Sequence, residues 1–173
     1  MIEPAPSYRG EWPRALWHVS EDPTIERFAP REGLVWAIDT RHLPLYWFPR
    51  ECPRACFWAC TGTSEDDAER WLDGDRTRRV HVIESGWLER LRSTRVVAYR
   101  LPESTFEPDD RFWVSAEPVE PLERVELGDL LARHADARIE LRVAPALYPL
   151  WDTVVASSLD FSGIRLRNAT LSA

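Results

Sequence analysis

Apolar residues in this chain come in short runs, each cut off by a proline, a glycine or an acidic pair, and that punctuation limits what it can fold into. Leu16-Trp17-His18-Val19-Ser20 reads as a first strand, which Asp22-Pro23 breaks into a turn. Leu34 to Ile38 suits a strand covered on both faces. Asp39 or Thr40 can cap a short helix carrying Leu43, Tyr46 and Trp47, which Pro49 ends. Ala55 to Thr61 reads as another strand. Ser64-Glu65-Asp66-Asp67 opens a helix, with acidic residues at the positive end of its dipole, Ala68, Trp71 and Leu72 on one face, and Asp73-Gly74 closing it. Arg79 to Glu84 is a strand, Ser85 caps a helix with Trp87, Leu88 and Leu91 inward, and Arg95 to Leu101 is a strand that Pro102 ends. Phe112 to Ser115 and Leu122 to Glu126 are shorter strands.

Towards the C-terminus, Leu127, Leu130, Leu131 and His134 mark a helix, and Arg138 to Val143 alternates charged with apolar residues as a half-exposed strand does. Pro149 suits a helix start, and Leu147, Leu150, Trp151, Val154 and Val155 follow the helical period. Ile164 and Leu166 alternate with Arg165 and Arg167 in an expected last strand. Many short strands with helices between them favour an α+β fold with a mixed or split β-sheet over a regular βαβ repeat. The expected organisation is an irregular arm over residues 1–14, rich in proline and charge, and a single α+β domain over 15–173.

Composition narrows the class. With 44% hydrophobic residues, 173 residues can bury a core without staples. A net charge of -7 argues against a general nucleic-acid footprint. All 22 basic residues are arginine, which fits a coding bias of the source genome and also favours planar contacts to carboxylate or phosphate. Cys52, Cys56 and Cys60 are odd in number, match no common zinc spacing and read as small core residues. The N-terminus has no apolar signal-peptide region and no run is long enough to span a membrane, so the chain is expected in the cytoplasm, away from membranes. Nine tryptophans are unusually many; most belong in a core, and an indole near a cleft can stack on a flat ligand.

Three features could carry chemistry. If Trp17 and Val19 enter the core, His18 and Ser20 share the opposite face, where an imidazole beside a hydroxyl suits a sugar; otherwise His18 is a core histidine bonded to backbone. Between Trp36 and Phe48, Trp36 or Tyr46 best suits a ligand face, while Trp47 and Phe48 suit packing of the short helix on the sheet. Glu107-Pro108-Asp109-Asp110 reads as an acidic loop just past a strand, a place for a catalytic carboxylate or simply a solvated turn. His81 and His134 have no partner in local sequence, and His42 reads as a rim residue. No glycine-rich dinucleotide motif, P-loop, zincin motif or nucleophile elbow is present, which disfavours those four enzyme classes.

Leu16-Trp17-His18-Val19-Ser20-Glu21-Asp22-Pro23, with Leu45-Tyr46-Trp47-Phe48-Pro49-Arg50, resembles an uncharacterised family of bacterial proteins known only as a domain of unknown function, over nearly the whole chain. A more distant resemblance, in motif order over residues 16–127, is to the small ADP-ribosyltransferases that inactivate rifamycins. Leu16 to Ser20 is similar to their first strand, with Val19 at a usual glycine; Trp36 stands at the family's tyrosine position; Asp109 is the nearest match to its catalytic carboxylate; and Arg111 to Val119 resembles its aromatic strand ending in Glu-Pro-Val. Residues between 50 and 95 and those from 128 onward, a helix–strand–helix extension, have no counterpart.

The resemblance implies an ADP-ribosyltransferase-like fold that uses NAD as a consumed cosubstrate, without a metal. His18 and Ser20 would hold the ribose, Trp36 with Tyr46 would stack on the nicotinamide, and Asp109 would stabilise the oxocarbenium ion or activate an acceptor of unknown identity, nucleic acid being disfavoured by charge. Two other classes remain open. One is a non-catalytic binding module with an aromatic cleft of Trp36, Tyr46 and Trp113 for a flat ligand or peptide, and the other is an interaction protein whose aromatics form an oligomer interface, its oligomeric state unspecified.

Overall fold

Short alternating runs between chain breaks become ten strands among the described residues, which are 15–73, 77 and 79–170 of a computed structural model. The expected arm over residues 1–14 and the expected helix closure at Gly74 lie outside them. In chain order the elements are β1 (Leu16–Ser20), β2 (Val35–Asp39), β3 (Arg54–Trp58), α1 (Glu65–Leu72), β4 (Arg79–Glu84), α2 (Leu88–Ser93), β5 (Val97–Leu101), β6 (Glu107–Asp109), β7 (Phe112–Ser115), β8 (Glu123–Glu126), α3 (Leu130–Asp136), β9 (Glu140–Ala144), α4 (Tyr148–Val155) and β10 (Asp160–Ile164). The architecture is α+β, with two sheets and, among the described residues, four α-helices.

The chain divides into two compact units. Residues 15–50 and 94–128 form a strand unit, whose six-stranded antiparallel sheet has the order β6-β7-β2-β1-β5-β8. Residues 51–93 and 129–170 form a helical unit, whose sheet has the order β10-β3-β4-β9 and contains all four helices. In that sheet β4 and β9 run parallel, while β3 pairs antiparallel with β4 and β10. The helix–strand–helix order after residue 128 is thus carried by α3, β9 and α4, and β9 and β10 complete a sheet begun by β3 and β4.

In the strand unit, Leu16, Val35, Ala37, Val97, Tyr99 and Leu101 enter the core from one sheet face, where Phe28, Phe106 and Val119 cover them. Phe28 is pinned by two backbone bonds with Val119, at 2.8 and 2.9 Å. The Tyr99 hydroxyl donates to the Asp22 carbonyl at 2.7 Å and accepts from the Ile25 N–H at 3.2 Å, so one core side chain ties down the segment after β1. Leu16 being wholly buried decides the facing of β1, since alternate residues share a face. Leu16, His18 and Ser20 point to the core side, and Trp17 and Val19 point away, the reverse of the facing that Trp17 and Val19 suggest in the sequence.

In the helical unit, Ala55, Phe57, Val80 and Val82 meet Trp71 and Leu72 of α1 and Leu147 and Val154 around α4. Ser64 caps α1 by accepting from the Asp67 N–H at 3.2 Å, and Asp73 ends it in the left-handed conformation at φ 52°. Asp67 also accepts from the Ser158 N–H and hydroxyl at 2.8 and 2.6 Å, fastening α1 to the turn before β10. The buried carboxylate of Glu84 accepts from the Leu147 N–H at 3.2 Å and from the Thr170 N–H and hydroxyl, both at 2.9 Å. Three donors replace the water that a buried carboxylate loses.

Several local expectations shift. The helix expected around Tyr46 is a single 3-10 turn, Leu43–Tyr46, with Asp39 accepting from the His42 N–H at 3.0 Å. Glu107-Pro108-Asp109 is an edge strand hairpinned to β7, with Asp110 at φ 52° in the turn, rather than a loop. The last strand ends at Ile164, because Arg165 turns left-handed at φ 56° and a 3-10 turn follows, so the alternation through Arg167 outlasts the strand.

Gly163 of β10 lies under Trp151, where a Cβ would come within 2.6 Å of the indole and of Leu166 Cδ1. Gly163→Ala should lower stability by about 1–3 kcal/mol through overpacking. Gly62→Ala, which meets nothing within 4 Å, should leave the urea midpoint nearly unchanged, and equal midpoints for the two variants would contradict this packing.

Candidate functional site

β1 pairs with β5 along all five of its residues but with β2 at two positions, Leu16 with Asp39 and Trp17 with Ile38. Beyond that last rung the ladder opens, and the His18 side chain takes over: its Nδ1 lies 2.8 Å from the Trp36 carbonyl. A carbonyl can only accept, so Nδ1 carries the proton and a neutral ring leaves Nε2 as an acceptor. Burial pushes the His18 pKa below its ordinary value; the bond to Trp36 opposes this, and the charges of Arg50 and Arg31 add to it. The ring is also held by Phe28, with centroids 4.7 Å apart. His18 is thus a neutral, oriented imidazole bonded to backbone, on the same sheet face as Ser20.

The segment after β1 is fixed by side chains. Ser20 Oγ accepts from the Asp22 N–H at 3.1 Å, and Asp22 accepts from the Thr24 N–H and hydroxyl at 2.8 and 2.6 Å, which keeps its carboxyl below the usual range. The Glu21 carboxylate accepts from the Arg50 N–H at 2.7 Å, joining the end of β1 to the chain after Pro49.

The other expected site residues do not join His18. Val35 and Ala37 are in the core, so Trp36 between them points away and is 42% exposed. Its indole meets Phe112 edge-on at 5.5 Å, and Phe112 is the register partner of Asp109. Cross-strand partners share a face, so Trp36, Phe112 and Asp109 lie together on the face opposite His18 and Ser20. Trp113 packs on the core side, and Tyr46 is half-buried in its 3-10 turn. The convergence of imidazole, indole and carboxylate around one ligand is therefore corrected to two pairs on two faces, because each of these strands turns successive side chains to opposite sides.

The helical unit holds a pair that local sequence does not reveal. His134 Nδ1 lies 2.6 Å from the Leu130 carbonyl, so it donates there and its Nε2 accepts from His81 Nδ1 at 3.0 Å. Burial pushes both pKa values down, that of His81 well below its ordinary value, with His134, Arg79 and Arg54 adding to the effect at His81. Val80 and Val82 entering the core put His81 on the opposite face of β4, which is the available sequence signal; His134 is 53 residues away. Across the sheet from His81 is Cys56, whose thiol burial pushes up to about 12, as it does for Cys52. Neither is a thiolate nucleophile near neutral pH. Among the described residues, no three His, Cys, Asp or Glu side chains are grouped to hold a metal ion, and no helix is long and apolar enough to cross a membrane.

Against known families, residues 17–169 match a family of unknown function. No curated protein and no solved structure matches the chain.

Because His18, His81 and His134 have folded pKa values below the unfolded value of about 6.5, the unfolded chain binds more protons in that range. Stability should therefore be fully present above about pH 7.5 and fall as pH drops through 6.5, by up to about 1.4 kcal/mol per pH unit for each histidine. Urea midpoints at pH 7.5 and 5.5 check this, and His134→Gln should flatten the slope. Identical wild-type midpoints at the two pH values would contradict neutral, buried imidazoles.

Proposed function

We propose, for a chain that belongs to the family of unknown function DUF6886, that its strand unit is an ADP-ribosyltransferase-like module that binds NAD at His18. The observation that carries the reading is the oriented acceptor nitrogen of His18 just past the last rung between β1 and β2. Ribose hydroxyls are donors that such a nitrogen can accept from, and the Ser20 hydroxyl on the same face can donate in turn. A neutral imidazole keeps this acceptor capacity throughout the physiological range, which a ring of ordinary pKa does not do at the acid end.

The division of the chain supports the same reading. The motifs that resemble the rifamycin-inactivating enzymes fall in residues 16–50 and 95–127, the segments that gather in the strand unit. The two stretches without a counterpart form the helical unit. Trp36 and Asp109 take no part in the proposed site, since they lie on the other sheet face. Binding without turnover is accordingly the leading form of the proposal.

Transfer of ADP-ribose to an acceptor is the second form, which the oriented acceptor nitrogen of His18 serves equally. In that form the bond from ribose to nicotinamide breaks, nicotinamide leaves with the bonding pair, an acceptor hydroxyl or amine adds to the same carbon, and its proton passes to water.

NAD at ten times its dissociation constant should stabilise the chain by about 1.4 kcal/mol, seen as a rise in Tm. His18→Ala should abolish that rise, whereas Trp36→Ala and Asp109→Ala should keep it. Nicotinamide release in the same samples separates the two forms. No shift of the wild-type Tm at millimolar NAD would refute both.

A further inference from the structure

On the sheet face away from His18, strand alternation gathers an aromatic corner with an acidic border. Trp36 of β2 is the register partner of Val114 on β7, and Val114 is the partner of Glu107 on the edge strand β6. One row across the sheet therefore runs indole, isopropyl, carboxylate, with two strand spacings, roughly 10 Å, between the backbones of Trp36 and Glu107. The next row towards the hairpin turn is Phe112 with Asp109. Phe112 meets the Trp36 indole edge-on at 5.5 Å, while 42% of Trp36 stays exposed. The main chain there is pinned as well, since the Trp36 carbonyl is bonded to His18. Glu107 and Asp109 are exposed, and among the described residues neither forms an ion pair. In this hairpin the carboxylates of Glu107, Asp109 and Asp110 stand against one guanidinium, that of Arg111, which already has an interaction of its own. The turn before β2 adds Arg31 and Glu32, whose charges cancel, and Arg100 on the same sheet face, beyond β1, is paired with Glu123 at 3.9 Å. The corner is thus apolar and acidic at once.

We infer that this corner docks an arginine-bearing segment of a partner protein, at a surface separate from the His18 site and independent of its reading. An apolar face alone accepts any apolar partner, but the carboxylate border selects a cation. A guanidinium can stack flat on an indole, lay its aliphatic stem over Val114 and present its planar fork to a carboxylate. A lysine ammonium brings the charge without the plane. Pro108 has no N–H, which equips the free edge of β6 poorly for pairing with another strand, so the partner meets the sheet face rather than extending the sheet. A chain of net charge -7 also favours the approach of a basic partner.

Fluorescence anisotropy of a labelled Gly-Arg-Gly-Arg-Gly peptide tests this, beside the same peptide with lysine or with uncharged citrulline in place of arginine. The arginine peptide should bind the full chain saturably, the lysine peptide about threefold more weakly, and the citrulline peptide at least tenfold more weakly. Trp36→Ala should weaken the arginine peptide by about fivefold, and Glu107→Gln and Asp109→Asn by about threefold each. Asp66→Asn, which removes an exposed carboxylate of α1 in the other unit, should change nothing and so separates a local site from general charge attraction. Circular dichroism and Tm confirm that each variant is folded; should Trp36→Ala unfold, Trp36→Leu, which keeps the apolar bulk and removes the aromatic face, carries the same expectation. No binding of the arginine peptide, equal binding of the arginine and citrulline peptides, or affinity unchanged by the Trp36, Glu107 and Asp109 variants would each overturn the proposal. Self-association in sedimentation velocity that Trp36→Ala abolishes, with no peptide bound by the wild type, would assign the face to a second copy of the chain and overturn it too.

Discussion

The hydrogen bond from the His18 ring to the Trp36 carbonyl stands where a backbone rung would otherwise be. Once β1 and β2 part, that carbonyl loses its backbone partner and must find another donor. Because an imidazole does it, two properties arise at once. The strands can separate without an orphaned acceptor, and the ring is fixed in the tautomer whose other nitrogen is a lone pair. The Phe28 ring packed against it and the Tyr99 hydroxyl that ties down the segment after β1 hold this arrangement in place. The whole functional account depends on that one bond.

Each unit solves its own polar problem in a similar way. In the helical unit, the Glu84 carboxylate gathers the N–H groups of Leu147 and Thr170, and the His81–His134 pair passes one hydrogen bond on to the Leu130 carbonyl. Such groups are costly to bury alone and specific when satisfied. Cys52 and Cys56 of that unit are protonated thiols, so their chemistry is that of packing.

Much of the element order was legible because the signals were local. Ser64 with its acidic first turn marks α1, Leu130, Leu131 and His134 fall in α3 as their spacing suggests while Leu127 lies before it, and Leu16 to Ser20 forms a strand at the expected bounds. What was not legible is which way each strand faces. In β1 both alternating sets contain large apolar residues, Leu16 on one side and Trp17 with Val19 on the other, so counting hydrophobicity favours the wrong side. The deciding facts are the partners, Leu101 and Tyr99 on β5, which lie more than 80 residues away in the chain. β6 is only Glu107-Pro108-Asp109, with no strand-forming pattern of its own, and its hairpin with Phe112 and Trp113 makes it a strand. For the candidate site, His18 and Ser20 could be named from sequence, but the bond from His18 to the Trp36 carbonyl and the ring contact with Phe28 could not, since they depend on how β1 and β2 part.

The most direct measurement is the protonation of the His18 ring by nitrogen-15 NMR, assigned by comparison with a His18→Gln sample. The account predicts, at pH 7, a neutral ring with its proton on Nδ1, a bare Nε2, and a midpoint of protonation below that of a free imidazole. A ring protonated on Nε2, or one that titrates as free histidine does, would contradict it.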